Sequence, residues 1–78
     1  MQGLNGISMK FILTMYVCSF LHQDCAPGVV YPTHFDSWYD CTMQAQVEST
    51  QLLLSIPQAL VEENKIATKY TCIQLTDA

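Results

Sequence analysis

From residue 9 the chain alternates. Met9, Phe11, Leu13, Met15 and Val17 form a wholly apolar set, interleaved with the mixed set Lys10, Ile12, Thr14, Tyr16 and Cys18. A period of two with one strongly apolar side predicts a β-strand over 9–18 that buries one face. The same period returns at 65–75. Ile66, Thr68, Tyr70 and Cys72 share one side, and Lys65, Ala67, Lys69, Thr71 and Ile73 share the other. The lysines turn that second side toward water, as in a sheet with one covered face.

Between these strands the period changes. Residues 19–33 read as a linker containing His22, Asp24, Pro27, Gly28 and Pro32, with Pro27-Gly28 as a turn signal and Val29, Val30 and Tyr31 as a short extended piece. Helical spacing begins after Pro32. Thr33 is the expected cap, and Asp36 then falls near the positive end of the helix dipole. Phe35, Trp38, Cys41, Thr42, Ala45, Ser49, Leu52, Leu53 and Ile56 fall on one side of a helical wheel, a broad stripe with small residues at its middle. Asp40, Gln44, Glu48 and Gln51 fall away from it. Pro57 ends this helix, so its expected span is 34–56. Residues 58–64 hold one more turn, with Asn64 as the stop.

The lengths match. A helix over 34–56 spans about 34 Å, and a ten-residue strand about 33 Å. The expected fold is therefore α+β: a small two-layer domain with two main strands (9–18 and 65–75) covered by one long helix (34–56) and stapled by cysteines. Whether the strands run parallel or antiparallel is not decided by the pattern, because the connection is long enough for either. Residues 1–8, with two glycines and no periodicity, read as a flexible leader; 9–78 read as a single domain.

Size gives the cysteines their importance. With 78 residues the chain is short, and folds of this size bury only about 60% of the surface exposed by the unfolded chain. Disulfides, a metal or a partner often supply the missing stability. Half of the residues are hydrophobic and 13% are charged, which excludes a disordered, highly charged tail. The net charge is −4, from seven acids and three lysines, with no arginine. That balance argues against nucleic-acid binding, which needs a basic surface. Residues 9–21 resemble a signal peptide in having Lys10 before an apolar run, but no small-x-small cleavage site follows. The run is also shorter than the ~18 residues of a membrane span, so a strand is the preferred reading.

Three readings compete for the four cysteines. In the first, Cys41 on an early helical turn lies level with Cys72 on the last strand, and Cys18 bonds Cys25 locally. By loop-closure entropy these two disulfides contribute about 3.5 and 2.5 kcal/mol. In the second, the thiols stay reduced and pack as small hydrophobes, the default in a reducing cytoplasm. In the third, Cys18, His22 and Cys25 hold a metal with His34 or Cys41, although the spacing is not that of a zinc knuckle or ribbon. Disulfides are the leading expectation, with no cofactor.

Candidate chemistry is sparse. His34, Asp36, Ser37 and Asp40 are clustered and polar, but they are read as helix-start residues rather than a catalytic set. The glycines are too scattered for a phosphate loop. No enzymatic activity is expected. The helix carries a second apolar set, Tyr39, Met43, Val47 and Leu54, opposite the main stripe, and these residues are the candidate face for a protein partner or for self-association.

Four segments together suggest a relationship: 9–19, Cys25, Ser37-Trp38-Tyr39-Asp40-Cys41 and Lys69-Tyr70-Thr71-Cys72. Over about 9–75 the chain resembles a group of short uncharacterised four-cysteine proteins encoded by marine bacteriophages. The resemblance implies a phage accessory protein beginning at Met9, with residues 1–8 as an added leader, expressed in an infected bacterium. It implies no activity and assigns no functional residue. The expectation is a small non-enzymatic protein acting by protein–protein interaction; the alternatives are a virion-associated or self-assembling structural protein and, more distantly, a small metal-binding module.

Overall fold

The two alternating segments meet in one ladder. In the computed structural model, which describes residues 9–76, the element order is β1 (Met9–Ser19), β2 (Asp24–Cys25), β3 (Val29–Val30), α1 (Trp38–Leu54), α2 (Gln58–Asn64) and β4 (Ile66–Thr76). The leader expected over 1–8 lies outside the described residues, as do Asp77 and Ala78. β1 pairs with β4 antiparallel from Met9↔Thr76 to Ser19↔Ile66 without a break, which settles the strand direction. The register sets Leu13 opposite Cys72 and Met15 opposite Tyr70, so both apolar sides fall on one face.

The other edge of β1 is lined by a broken strand. Cys18↔Cys25 and Ser19↔Asp24 pair first, then Thr14↔Val30 and Met15↔Val29, then the single bridge Phe11↔Phe35. The register slips by one residue between β2 and β3, and by two more before Phe35. Such slips are β-bulges, and an edge carrying them tolerates Pro27 and Pro32, which donate no backbone hydrogen bond. Gly28 has a specific role here. A Cβ at this position would lie 2.6 Å from the Tyr16 ring and 2.7 Å from the Thr14 methyl, so only glycine leaves room for the ring. Opposite Tyr16 on β4, the Lys69 ammonium stands 4.8 Å from the same ring centroid.

α1 covers one face of the sheet. Its Cys41 and Ala45 are fully buried against Phe11, Leu13, Met15 and Cys72, with Leu52 and Tyr70 packed around them. The small side chains at 41 and 45 let the helix approach the strands, and the Cys41–Cys72 disulfide fastens it there. Thr42 and the Tyr70 hydroxyl share a hydrogen bond across the same layer.

The helix is shorter than the pattern suggests. Phe35 exchanges two backbone hydrogen bonds with Phe11, which keeps 33–35 out of the helix. Ser37 replaces Thr33 as the cap: its backbone is extended and its hydroxyl accepts from the Asp40 N–H at 3.0 Å. Asp36 precedes the cap and forms an ion pair with Lys10. Trp38, at the first helical position, is more than half exposed and meets Phe11 of the core edge-on. At the other end Ser55 caps α1, and Pro57 opens α2 instead of extending α1. α2 stops at Asn64, and Lys65 takes the left-handed conformation (φ 53°) that turns the chain into β4.

Leu13 is fully buried at the centre of the ladder. Leu13→Ala is expected to lower the unfolding free energy by about 3 kcal/mol. Gly28→Val is expected to cost roughly 1–3 kcal/mol, and less when Tyr16 is shortened as well. Urea unfolding followed by circular dichroism measures both.

Candidate interaction surface

α1 divides its side chains between two environments. With Cys41 and Ala45 turned into the core, the helical period places Tyr39, Met43, Val47 and Leu54 on the outside. They are 67%, 48%, 51% and 77% exposed, so the set expected from spacing does lie in water. The row is not flat. Phe35, Met43 and Val47 bound a shallow hollow with Asp40 and Gln44 at its rim. Leu54 closes the other end, where α1 turns into α2, beside a cleft lined by Leu53, Ile56, Pro57 and Val61.

Asp40 lines the hollow beside Met43 and Val47, and no lysine or arginine occurs from residue 11 to residue 64. Glu48 faces the sheet side of α1, and Glu62 on α2 is paired with Lys65 at 3.7 Å. The row on α1 thus has an acid beside it and no base on its own helix.

A second concavity has no counterpart in the sequence pattern. Where the broken edge strand diverges from α1, a groove of about 240 Å³ opens between Met15, Val17, Pro27, Val29 and Leu52. Glu48, held by the Gln44 amide at 3.0 Å, supplies an acid to this apolar wall. The helical wheel sets Glu48 away from the main stripe, whereas the structure turns it toward Met15 and Leu52 on the sheet side of α1.

The cysteines pair as Cys18–Cys25 and Cys41–Cys72, the leading expectation, and no thiol remains free. Cys18 and Cys25 face each other directly across the β1–β2 hairpin, with Cα atoms 3.9 Å apart. The metal reading loses its ligands, since Cys18, Cys25 and Cys41 are all consumed in these bonds. His22 lies 3.4 Å from the Asn64 side chain, in a loop also fastened by the Ser19 hydroxyl, which donates to the Asn64 carbonyl at 2.7 Å. His34, Asp36, Ser37 and Asp40 do not form a catalytic arrangement, because Ser37 is occupied as a cap and Asp36 by Lys10. Among the described residues no helix is long and apolar enough to cross a membrane. Compared with known proteins, the chain matches no family, no curated sequence and no solved structure.

The two disulfides differ in access. Cys25 is exposed, whereas Cys41 and Cys72 are buried. Under limiting reductant, Cys18–Cys25 is expected to open first. Alkylation followed by peptide mass mapping should label Cys18 and Cys25 before Cys41 and Cys72.

Proposed function

We propose that this chain is a small non-enzymatic protein, encoded by a bacteriophage as an accessory factor, that acts by binding another protein through the outward side of α1. The observation that carries this reading is the row Tyr39, Met43, Val47 and Leu54, large apolar side chains left in water on a helix whose opposite side already has its core. Single exposed apolar residues need no explanation, but an aligned set on one face does. Asp40 beside the row, on a helix without a basic residue, defines the partner's chemistry: an apolar patch bordered by lysine or arginine. Packing α1 against α1 of a second copy would bring together two helices that carry acids and no base, so the row favours a different protein as its partner. The phage assignment is supported by the resemblance at Ser37-Trp38-Tyr39-Asp40-Cys41 and at Lys69-Tyr70-Thr71-Cys72.

The test compares the full chain with Val47→Asp, both immobilised, against a lysate of infected bacteria and against purified virions. The exposed substitution should leave stability within about 0.5 kcal/mol. The expected result is a protein retained by the unmodified chain, lost from Val47→Asp, and released by salt as charge complementarity requires. Retention of the same proteins by both chains would overturn the proposal.

A further inference from the structure

The backbone of β4 is only half used. Odd-numbered residues of β1 direct their peptide groups toward the broken strand: Phe11 and Phe35 exchange bonds of 2.8 and 3.0 Å, and the carbonyls of Leu13 and Val17 accept from Tyr31 and Ala26. The even-numbered residues of β1 therefore serve β4, and the register makes their partners Ala67, Lys69, Thr71, Ile73 and Leu75. That leaves the N–H and C=O groups of Ile66, Thr68, Tyr70, Cys72 and Gln74 aimed away from the sheet. Among the described residues no strand pairs with this second edge.

Edges of this kind are normally protected by proline, a bulge or charge. The broken strand on the opposite side of β1 has two of these devices, with Pro27 and Pro32 beside its register slips. β4 has no proline, no glycine, no bulge and no acid; its single charge, Lys69, is laid over the Tyr16 ring. On the sheet face away from α1, Ile73 stands directly opposite Ile12 and is 55% exposed, with Leu75 beside it.

We infer that the free edge of β4 takes β4 of a second copy, antiparallel, about a two-fold axis at Ile73. Identical strands are self-complementary in this arrangement. Cys72 of each copy exchanges backbone hydrogen bonds with Gln74 of the other, and the two Ile73 side chains meet in a non-hydrogen-bonded pair, where approach is closest. The open face then carries a continuous row of Ile12 and Ile73 from one copy followed by Ile73 and Ile12 from the other. β4 carries no acid along Ile66–Thr76, so the strand pair adds no acid–acid contact to a molecule whose net charge is −4. The acidic α1 surface takes no part and stays free for a different partner.

Sedimentation velocity of the full, oxidised chain over a concentration series tests this. The expected result is a reversible dimer. Gln74→Pro removes an N–H that faces away from β1, so the intrachain ladder and the circular dichroism spectrum are retained while dimerisation weakens by about tenfold or more. Ile73→Lys, which leaves the backbone unchanged, should do the same and decides the matter where Gln74→Pro disturbs folding. A monomer at every concentration overturns the inference. So does a dimer that withstands both Gln74→Pro and Ile73→Lys but is abolished by Val47→Asp, since that dimer would form through α1.

Discussion

The antiparallel ladder between β1 and β4 is the constraint on which the other features depend. Two alternating strands can pair in a register that puts both apolar sides together or in one that sets them on opposite faces, since a one-residue shift turns every side chain over. The observed register gathers Phe11, Leu13, Met15, Tyr70 and Cys72 on one face. A ribbon of two strands is marginal in water until that face is covered. The Cys41–Cys72 disulfide supplies both cover and position, because Cys72 stands opposite Leu13 and draws the first turn of α1 over the middle of the ladder. Once Cys41 points inward, the helical period dictates that Tyr39, Met43 and Val47 point outward. The candidate binding row therefore follows from the core.

The sheet is asymmetric in both directions. One face is covered by α1, and among the described residues no second layer covers Ile12, Tyr16 and Ile73 on the other. One edge is interrupted by prolines and register slips, whereas the other is regular along its whole length. Charge follows the same division. Acids occur on both helices, with Asp40 beside the exposed row on α1, and β4 has none. Two surfaces with such different composition suit two different occupants, so the heterologous partner proposed for the helix and the second copy inferred for the strand would not compete.

Much of this architecture was legible in the residues. Both long strands could be read from alternation, because Phe11, Leu13 and Met15 at one end and Tyr70 and Cys72 at the other leave no ambiguity about the period. The disulfide pairing followed from placing Cys41 and Cys72 on core-facing positions of elements that had to pack together. Features that depend on distant contacts were harder to read. Thr33 is as good a local cap as Ser37, and only the Phe11–Phe35 bridge, made across the sheet, decides between them. The groove beside Glu48 is lined jointly by β1, the 26–32 segment and α1, and no periodic signal within one element encodes such a meeting of three. The exposed set on α1 was visible in its spacing. The unpaired edge of β4 was not, because alternation tells which face a residue takes and says nothing about which strand lies beside it.

The separation of β1 from β4 along the chain has a consequence for biosynthesis. A ribosome delivers β1 first, and the hairpin closed by Cys18 and Cys25 can form as soon as it emerges. The principal neighbour of β1 arrives only after both helices have been translated. During that interval the greasy side of β1 has no lid, and such long-range pairings are slow to nucleate. The nascent chain is most vulnerable to proteases and to clumping before β4 appears. An oxidant that joined Cys18 or Cys25 to Cys41 in this window would trap the helix on the wrong side of the hairpin, so the early local bond also keeps Cys41 available for Cys72.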